Sequence, residues 1–185
     1  MSTVEAPTTV ALAELVEELR EISHRELTPD ATGEQASAVL ARYLGNRNLL
    51  APEHCEGSPD RYRQHVLHVE DDGSFSIVSL VWLPGQSTPI HDHVSWCVVG
   101  VHAGEETETR YEVHAAGGSR YLTEEEHTIN PEGSVCAVAP PGDIHAVRNS
   151  GTGKTISIHV YGADIARLGS SIRRTYELPV KGRDS

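Results

Sequence analysis

The sequence predicts an all-β core, a small β-barrel or sandwich, preceded by two N-terminal α-helices. Through the first fifty residues, apolar side chains recur at three- and four-residue spacing, which is typical of amphipathic helices. From residue 62 to about residue 161 the apolar period changes to two, and turn-rich segments interrupt it at short intervals. Many short strands at regular spacing indicate a β-sandwich or barrel.

The N-terminal region divides into two helices and a loop. An apolar stripe from Val10 to Ile22 predicts the first helix, which Thr8 or Thr9 would cap. Apolar residues predict a second helix from about Gly33 to Leu44. Residues 45–60 are rich in Asn, Gly and Pro, so we expect them to form the connection to the β region.

The β region contains a series of short strand candidates separated by turns such as EDDG, LPGQ and SGTGK. These candidates are QHVLHV, SFSIVSLVWL, SWCVVGVHA, TETRYEVHA, GSRYLT, HTINP, GSVCAVA, HAVRNS and TISIHVYG. After the last of them, residues 165–176 are expected to form a short helix.

Composition excludes several classes of protein. The 185 residues are 38% hydrophobic and 23% charged, as in ordinary globular proteins. The net charge of −12 argues against nucleic acid or an anionic membrane as a partner. Three scattered cysteines are too few for a disulfide framework, and neither a signal peptide nor a membrane-spanning stretch is expected. We therefore expect a cytoplasmic protein.

The stretch PIHDHVSWC places His91, His93 and Cys97 at positions of the same parity. In an extended strand these three side chains would point to one face. Two imidazoles one residue apart on one strand face can bind a single metal ion. The alternative is that both histidines are exposed polar residues on an edge strand.

Two longer motifs surround the histidines. The first reads G-x5-H-x-H-x3-C-x6-G from Gly85 to Gly104, and the second reads G-x6-P-x-G-x2-H-x3-N from Gly133 to Asn149. Together they resemble the two motifs of the cupin family, whose fold is a small β-barrel or jelly roll. The first motif differs from the common pattern because Cys97 stands where a metal-binding glutamate is usual, and the second has one extra residue before its proline.

The cupin resemblance covers residues 62–161 and implies one domain over residues 1–185. That domain would comprise a helical segment (1–50), the β-barrel core (62–161) and a C-terminal tail (162–185). In such a barrel His91, His93 and His145 would meet at one interior point. Three neutral imidazoles suit a first-row divalent metal ion and leave about three coordination positions open.

The strand TISIHVYG alternates polar and apolar residues. Ser157, His159 and Tyr161 share one face, and the apolar residues between them share the other. If the apolar face meets the helices, the polar row looks into the barrel, where it must be hydrogen-bonded. The alternative is a polar row that faces solvent.

A three-histidine cupin with cysteine in place of the glutamate and a late S-x-H-x-Y strand resembles the thiol dioxygenases, namely cysteine dioxygenase and 3-mercaptopropionate dioxygenase. The resemblance implies Fe(II) held by the three histidines, with a small-molecule thiol and O2 as the reactants and a sulfinate as the product. It also implies an outer-sphere relay of Ser157, His159 and Tyr161, and a thioether cross-link between Cys97 and Tyr161. The alternative for Cys97 is a small buried apolar side chain.

The substrate's carboxylate would require a cation, preferably a bidentate one. Two family patterns compete here: Arg63 and Gln64 lie near the position of one anchor, and Arg173 and Arg174 follow the VYGA segment near the other. Gln64 favours 3-mercaptopropionate, whereas Cys97 favours L-cysteine, which we take as the preferred substrate. Each arginine could instead be an ordinary surface charge.

A different class of function is also open, because cupins host many activities. The protein could be a metal-binding sensor, or an isomerase that uses Zn or Mn. The row of Ser157, His159 and Tyr161 favours the dioxygenase, since a simple metal store needs no ordered acid–base strand. We expect a monomer or a small homo-oligomer.

Overall fold

The computed structural model describes residues 8–182 and has two N-terminal helices followed by two β-sheets. The helices are α1 Val10–Ser23, α2 Pro29–Ala41 and the short α3 Ile165–Leu168, and a 3₁₀ turn covers Pro52–Cys55. The strands are β1 Arg63–Val69, β2 Ser76–Trp82, β3 His91–His93, β4 Cys97–Ala103, β5 Glu105–Ala116, β6 Ser119–Pro131, β7 Val135–Val138, β8 His145–Arg148, β9 Thr155–Tyr161, β10 Ile172–Thr175 and β11 Val180–Lys181. The predicted β core behind two helices is confirmed.

Threonines cap both N-terminal helices. Thr9 accepts a hydrogen bond from the Leu12 amide at 3.1 Å, and Thr28 accepts one from the Ala31 amide at 3.3 Å. The second helix begins at Pro29, four residues earlier than its apolar pattern predicts. A threonine followed by proline is a strong start signal because proline loses no hydrogen bond in the first helical turn.

The strands form two sheets rather than a continuous closed barrel. One sheet has the order β1-β2-β9-β4-β7, and the other has the order β10-β3-β8-β5-β6-β11. All pairings are antiparallel except that of β11 with β6. The predicted strands GSRYLT and HTINP belong to the single strand β6, because β5 pairs along its whole length.

Strand β9 lies in the middle of the five-stranded sheet and separates two apolar layers. Ile156, Ile158 and Val160 pack with α1 and α2 in one cluster. Tyr161, on the opposite face, packs in a second cluster with Val147 of the other sheet. The polar row of β9 therefore faces the space between the sheets, as its alternation predicted.

The C-terminal tail differs from the predicted helix over residues 165–176. Helix α3 ends at Leu168 because Gly169 takes a left-handed conformation with φ 77°. The chain then continues as β10, which pairs with β3 at the edge of the six-stranded sheet. None of the helices within residues 8–182 has the length and apolar character that a bilayer span requires.

Two motif glycines meet local demands of this fold. Gly104 has φ 82°, and a Cβ atom there would lie 2.7 Å from the Thr155 hydroxyl, so only glycine lets β4 pass into β5 this close to β9. Gly142 has φ 97° in the turn that leads to Asp143 and His145. Gly142 thus serves the turn before the histidine strand β8, and Gly104 serves the turn between β4 and β5.

Candidate metal centre

Three histidines meet in the space between the sheets. His91 and His93 lie on β3, and His145 lies directly opposite His91 on the paired strand β8. They are 4%, 2% and 4% exposed, respectively. Their ring centroids are 4.7 to 4.9 Å apart, and one nitrogen from each lies within 4.8 Å of the others.

Hydrogen bonds fix the tautomer of all three rings. The Nδ1 atom of His91 lies 2.9 Å from the Pro89 carbonyl oxygen, that of His93 lies 2.9 Å from Asp143 Oδ2, and that of His145 lies 2.6 Å from Glu108 Oε1. A carbonyl or carboxylate oxygen only accepts, so each Nδ1 carries the proton and each Nε2 keeps its lone pair. This arrangement of carboxylate or carbonyl behind imidazole is the usual support of metal-binding histidines.

A neutral His91 ring and two ionised carboxylates next to the triad favour the binding of a cation. Burial, and then the neighbouring His145 and His93, lower the pKa of His91 to about 3, so the ring is neutral. Burial opposes ionisation of Asp143 and Glu108, but hydrogen bonds from His93 and His145 outweigh it and lower both pKa values. Three imidazoles with carboxylates behind two of them fit a first-row divalent metal ion.

Asp92, between the two histidines of β3, points to the other face of the sheet. It is 1% exposed, and its Oδ2 accepts hydrogen bonds from Arg173 at 2.7 Å, from Arg174 at 2.7 and 3.1 Å and from the Tyr176 hydroxyl at 2.9 Å. These bonds fasten β10 to β3. The two arginines that were predicted as substrate anchors are therefore held on the outer side of the histidine strand, away from the pocket.

The polar row of β9 forms a continuous hydrogen-bonded chain. Ser157 Oγ lies 2.9 Å from His159 Nε2, and the Tyr161 hydroxyl lies 3.0 Å from His159 Nδ1. The indole N–H of Trp82 donates to Ser157 at 3.0 Å. Burial lowers the pKa of His159 to about 3. The Tyr161 ring centroid is 6.3 Å from that of His93, so the end of the chain adjoins the histidines.

Cys97 lies opposite Tyr161 in the register between β4 and β9. Burial raises the pKa of its thiol well above the usual range, while the Tyr161 hydroxyl acts against this as a hydrogen-bond partner. Cys97 faces the space between the sheets, as the histidines do, but it does not share one extended strand with them. Strand β3 ends at His93, and β4, which begins at Cys97, belongs to the other sheet.

The pocket above the histidines has a polar, uncharged wall. Besides the histidines and the apolar side chains, it is lined by Tyr62, Gln64, Thr88, Ser170, Ser171 and Tyr161. Gln64 is thus the one predicted substrate-binding residue that reaches it. The side chain of Arg63, on the same strand, is 47% exposed, and its Nη1 atom lies 3.6 Å from Glu56 Oε2. No lysine or arginine among residues 8–182 lines this pocket.

Sequence reasoning missed several residues of the site. Asp143 lies two residues before His145, and its parity placed it on the same face, which was a usable signal. Tyr62 likewise shares parity with Gln64. Glu108 gave no signal, because its segment, EETETRYEV, has polar residues on both faces and reads as an exposed hairpin.

Two β-sheets that enclose three inward-facing histidines define a metal-binding protein with the cupin fold. The chain belongs to the cysteine dioxygenase type I family, whose sequence model matches residues 1–168. Membership in this family indicates a dioxygenase-type enzyme, and the histidine triad is its candidate metal centre.

Several solved structures resemble part of the chain. A protein from Thermus thermophilus is 20% identical, with a TM-score of 0.45, over 60% of this chain and 91% of its own. A double-stranded β-helix protein from Klebsiella pneumoniae is 21% identical, with a TM-score of 0.47, over 64% and 91%. A cupin superfamily protein from Desulfitobacterium hafniense is 16% identical, with a TM-score of 0.47, over 65% and 95%.

Proposed function

We propose that this protein is a non-haem Fe(II) thiol dioxygenase that converts L-cysteine to cysteine sulfinate. Both atoms of O2 pass to sulfur, which loses four electrons, so no further reductant is required. The observation that carries the proposal is the set of three bare Nε2 atoms beside the buried row of Ser157, His159 and Tyr161. Family membership supports the same reaction class.

The protein's own residues perform three tasks in this proposal. Bound ferrous iron would supply open coordination positions at which thiolate and O2 react. His91, His93 and His145 hold the ion with Nε2 and keep Nδ1 protonated. The Tyr161 hydroxyl would lie next to the substrate, and the apolar part of the lining, Leu80, Val147 and Ile172, would limit the water that competes for the ion.

The charge of the site favours L-cysteine over a simple thiol acid. Asp143 and Glu108 contribute two negative charges next to the histidines, which a divalent ion offsets. 3-Mercaptopropionate adds a thiolate and a carboxylate, whereas L-cysteine also brings an ammonium group and has one net charge. Placing an unpaired charge in a partly dry pocket is costly, so the zwitterionic thiol is the better fit.

A second candidate function is the oxidation of 3-mercaptopropionate. The observation that favours it is Gln64, which lines the pocket while Arg63 does not. In either case the carboxylate would be bound by uncharged donors such as Gln64, Tyr62, Ser170 and Ser171.

The unpaired cysteines fit a reducing compartment such as the cytoplasm.

Oxygen uptake by the Fe(II)-loaded protein tests the proposal. L-Cysteine, 3-mercaptopropionate and cysteamine are compared side by side, and ¹⁸O2 labelling shows whether both oxygen atoms enter the product. A tenfold or larger preference for 3-mercaptopropionate, about 1.4 kcal/mol in transition-state binding, would overturn the choice of L-cysteine.

The His145→Ala protein is the matched variant. We expect it to lose both iron retention and oxygen uptake, because a ligand is removed from the triad. Full metal stoichiometry and activity in this variant would contradict the proposed site. A protein that binds metal with three histidines but consumes no oxygen with any of the thiols would favour a sensor or isomerase instead.

A further inference from the structure

A buried carboxyl group lies beside the hydrogen-bonded row of β9 and has no role in the site described above. Glu106 on β5 is 2% exposed, and its Oε2 atom is buried without a hydrogen-bond partner among the described residues. Burial, and then the charge of Glu108, raise the pKa of Glu106 to about 7, while hydrogen bonding with the Ser157 hydroxyl acts against the rise. A buried carboxyl oxygen without a partner costs stability, so its presence calls for an explanation.

The titratable groups around Glu106 come from three strands. Glu108 lies on the same strand, Cys97 on β4 and Cys136 on β7. Burial keeps both thiols protonated, because it raises the pKa of Cys136 to about 12 and raises the pKa of Cys97 well above its usual range. The hydrogen bond from His145 lowers the pKa of Glu108 against the effect of burial. Glu106 is therefore the member of this group that changes charge near neutral pH.

When Glu106 is ionised, each hydrogen bond along Ser157, His159 and Tyr161 has a fixed donor and a fixed acceptor. A carboxylate only accepts, so the single Ser157 hydroxyl proton points to Glu106. Ser157 then accepts from both the Trp82 N–H and the His159 Nε2–H. The bare Nδ1 of His159 accepts from the Tyr161 hydroxyl, whose proton points away from the pocket. Tyr161 offers only lone pairs to a substrate.

Protonation of Glu106 allows the direction of these hydrogen bonds to reverse. The carboxylic acid can donate to Ser157, which already accepts from Trp82, so the Ser157 proton turns to His159 Nε2. His159, which stays neutral, then carries its proton on Nδ1 and donates to the Tyr161 oxygen. The Tyr161 proton turns into the pocket. One proton added at Glu106 leaves His159 uncharged and changes its tautomer.

We propose that the protonation state of Glu106 decides whether the Tyr161 hydroxyl donates or accepts a hydrogen bond in the pocket. As a donor, Tyr161 can stabilise negative charge that develops on oxygen; as an acceptor, it can bind the ammonium group of an aminothiol. Glu106 is a positioning residue that acts through Ser157 and His159. Its effect on catalysis rests on the proposed dioxygenase function, but the reversal of the hydrogen bonds requires no metal.

The reversal is measured first in the metal-free wild-type protein. ¹⁵N NMR of labelled histidine shows which ring nitrogen of His159 carries the proton, and loss of that signal in a His159→Asn protein assigns it. Between about pH 6 and about pH 8 we expect the proton to move from Nδ1 to Nε2 with a midpoint near the pKa of Glu106. A single tautomer throughout this range would overturn the proposal.

A pair of neighbouring variants identifies the group responsible. Glu106→Gln should abolish the pH-dependent change of tautomer, because the amide does not titrate. Glu105→Gln, at the adjacent exposed position, should leave it unchanged. If Glu106→Gln protein does not fold, ¹³C NMR of carboxyl-labelled glutamate in the wild type still decides, since no buried carboxyl titrating near neutral pH would refute the assignment.

Activity of the iron-loaded protein separates this proposal from the proposed function. The pH profile of kcat/KM should lose one ionisation near neutrality in Glu106→Gln and keep it in Glu105→Gln. A tautomer change without any oxygen uptake would refute the proposed dioxygenase function but not the role of Glu106. Oxygen uptake with a fixed His159 tautomer would refute the role of Glu106 alone.

Discussion

Replacing Glu108 with glutamine should weaken metal binding without unfolding the protein. Glu108 Oε1 accepts the Nδ1–H of His145 at 2.6 Å, and both groups are buried. A carboxylate behind an imidazole raises the basicity of the opposite nitrogen and fixes the ring's orientation. Glutamine keeps the shape and one acceptor oxygen but loses the charge, so the change isolates the electrostatic part of the support.

The size of the effect follows from the type of hydrogen bond. A hydrogen bond to a charged group contributes about 1.5–3 kcal/mol and a neutral one about 0.5–1.5 kcal/mol, so the mid-range values differ by about 1.3 kcal/mol. Applied to metal binding, this corresponds to a dissociation constant that is about ninefold larger, close to the lower end of the range for partners of metal-binding histidines. The metal-free protein loses the same contribution, so its melting temperature should fall by only about 3–5 °C.

Competition with a chromophoric chelator under anaerobic conditions measures the affinity for Fe(II), and the same titration with Zn(II) avoids oxidation. Glu126→Gln, an exposed position on the neighbouring strand β6, controls for the change in net charge. Equal affinity of the Glu108→Gln and wild-type proteins within twofold, or an equal loss in Glu126→Gln, would refute the role given to Glu108.

Three further outcomes are expected. If Cys97 and the tyrosine opposite it form a thioether with O2 as oxidant, part of the purified protein should be lighter by two hydrogen atoms. Peptide mass spectrometry that finds only free Cys97 after many turnovers would contradict this. Asp92→Asn should lower the urea midpoint more than Asp71→Asn at an exposed turn, because it loosens β10. Since its partners depress the pKa of Asp92, that difference should persist at neutral pH and disappear only below about pH 4. Gln64→Ala should raise KM about fivefold, the value of one hydrogen bond, and more than Arg63→Ala; the reverse ranking would place the anchor at the arginine.

The sequence predicted those parts of the site that depend on local alternation. The period of two in β9 placed Ser157, His159 and Tyr161 on one face, and packing of the intervening residues against the helices fixed which face. The resemblance of the two motifs to the cupin family implied that His91 and His145 meet, and these two residues are direct partners across β3 and β8. The first case requires only that one short segment be extended, whereas the second rests on the fold that the motifs indicate.

Other placements depend on which distant strands pair. Cys97 lies opposite Tyr161 because β4 pairs with β9; the family resemblance implied this proximity, whereas no spacing within PIHDHVSWC contains that register. The resemblance also suggested Arg173 and Arg174 as substrate anchors because they follow the VYGA segment, but their segment adds a strand to β3 and they bind Asp92. The sequence contained a usable signal for the position of these arginines. Asp92 has the opposite parity to His91 and His93, so its carboxylate lies on the other face of the strand and needs a cationic partner there.

The uncharged wall of the pocket has a further consequence for specificity. Electrostatics alone would rank cysteamine, with one thiolate and one ammonium group, at least as high as L-cysteine, which adds a carboxylate. Gln64 and Ser170 at the exposed mouth, with the hydroxyl of Tyr62, can donate hydrogen bonds to that carboxylate while water still solvates it. The cost of desolvation that would demand an arginine in a closed pocket is therefore reduced. For the proposed dioxygenase we therefore expect the carboxylate to improve binding without a salt bridge, and L-cysteine to react with a higher kcat/KM than cysteamine or the doubly charged 3-mercaptopropionate.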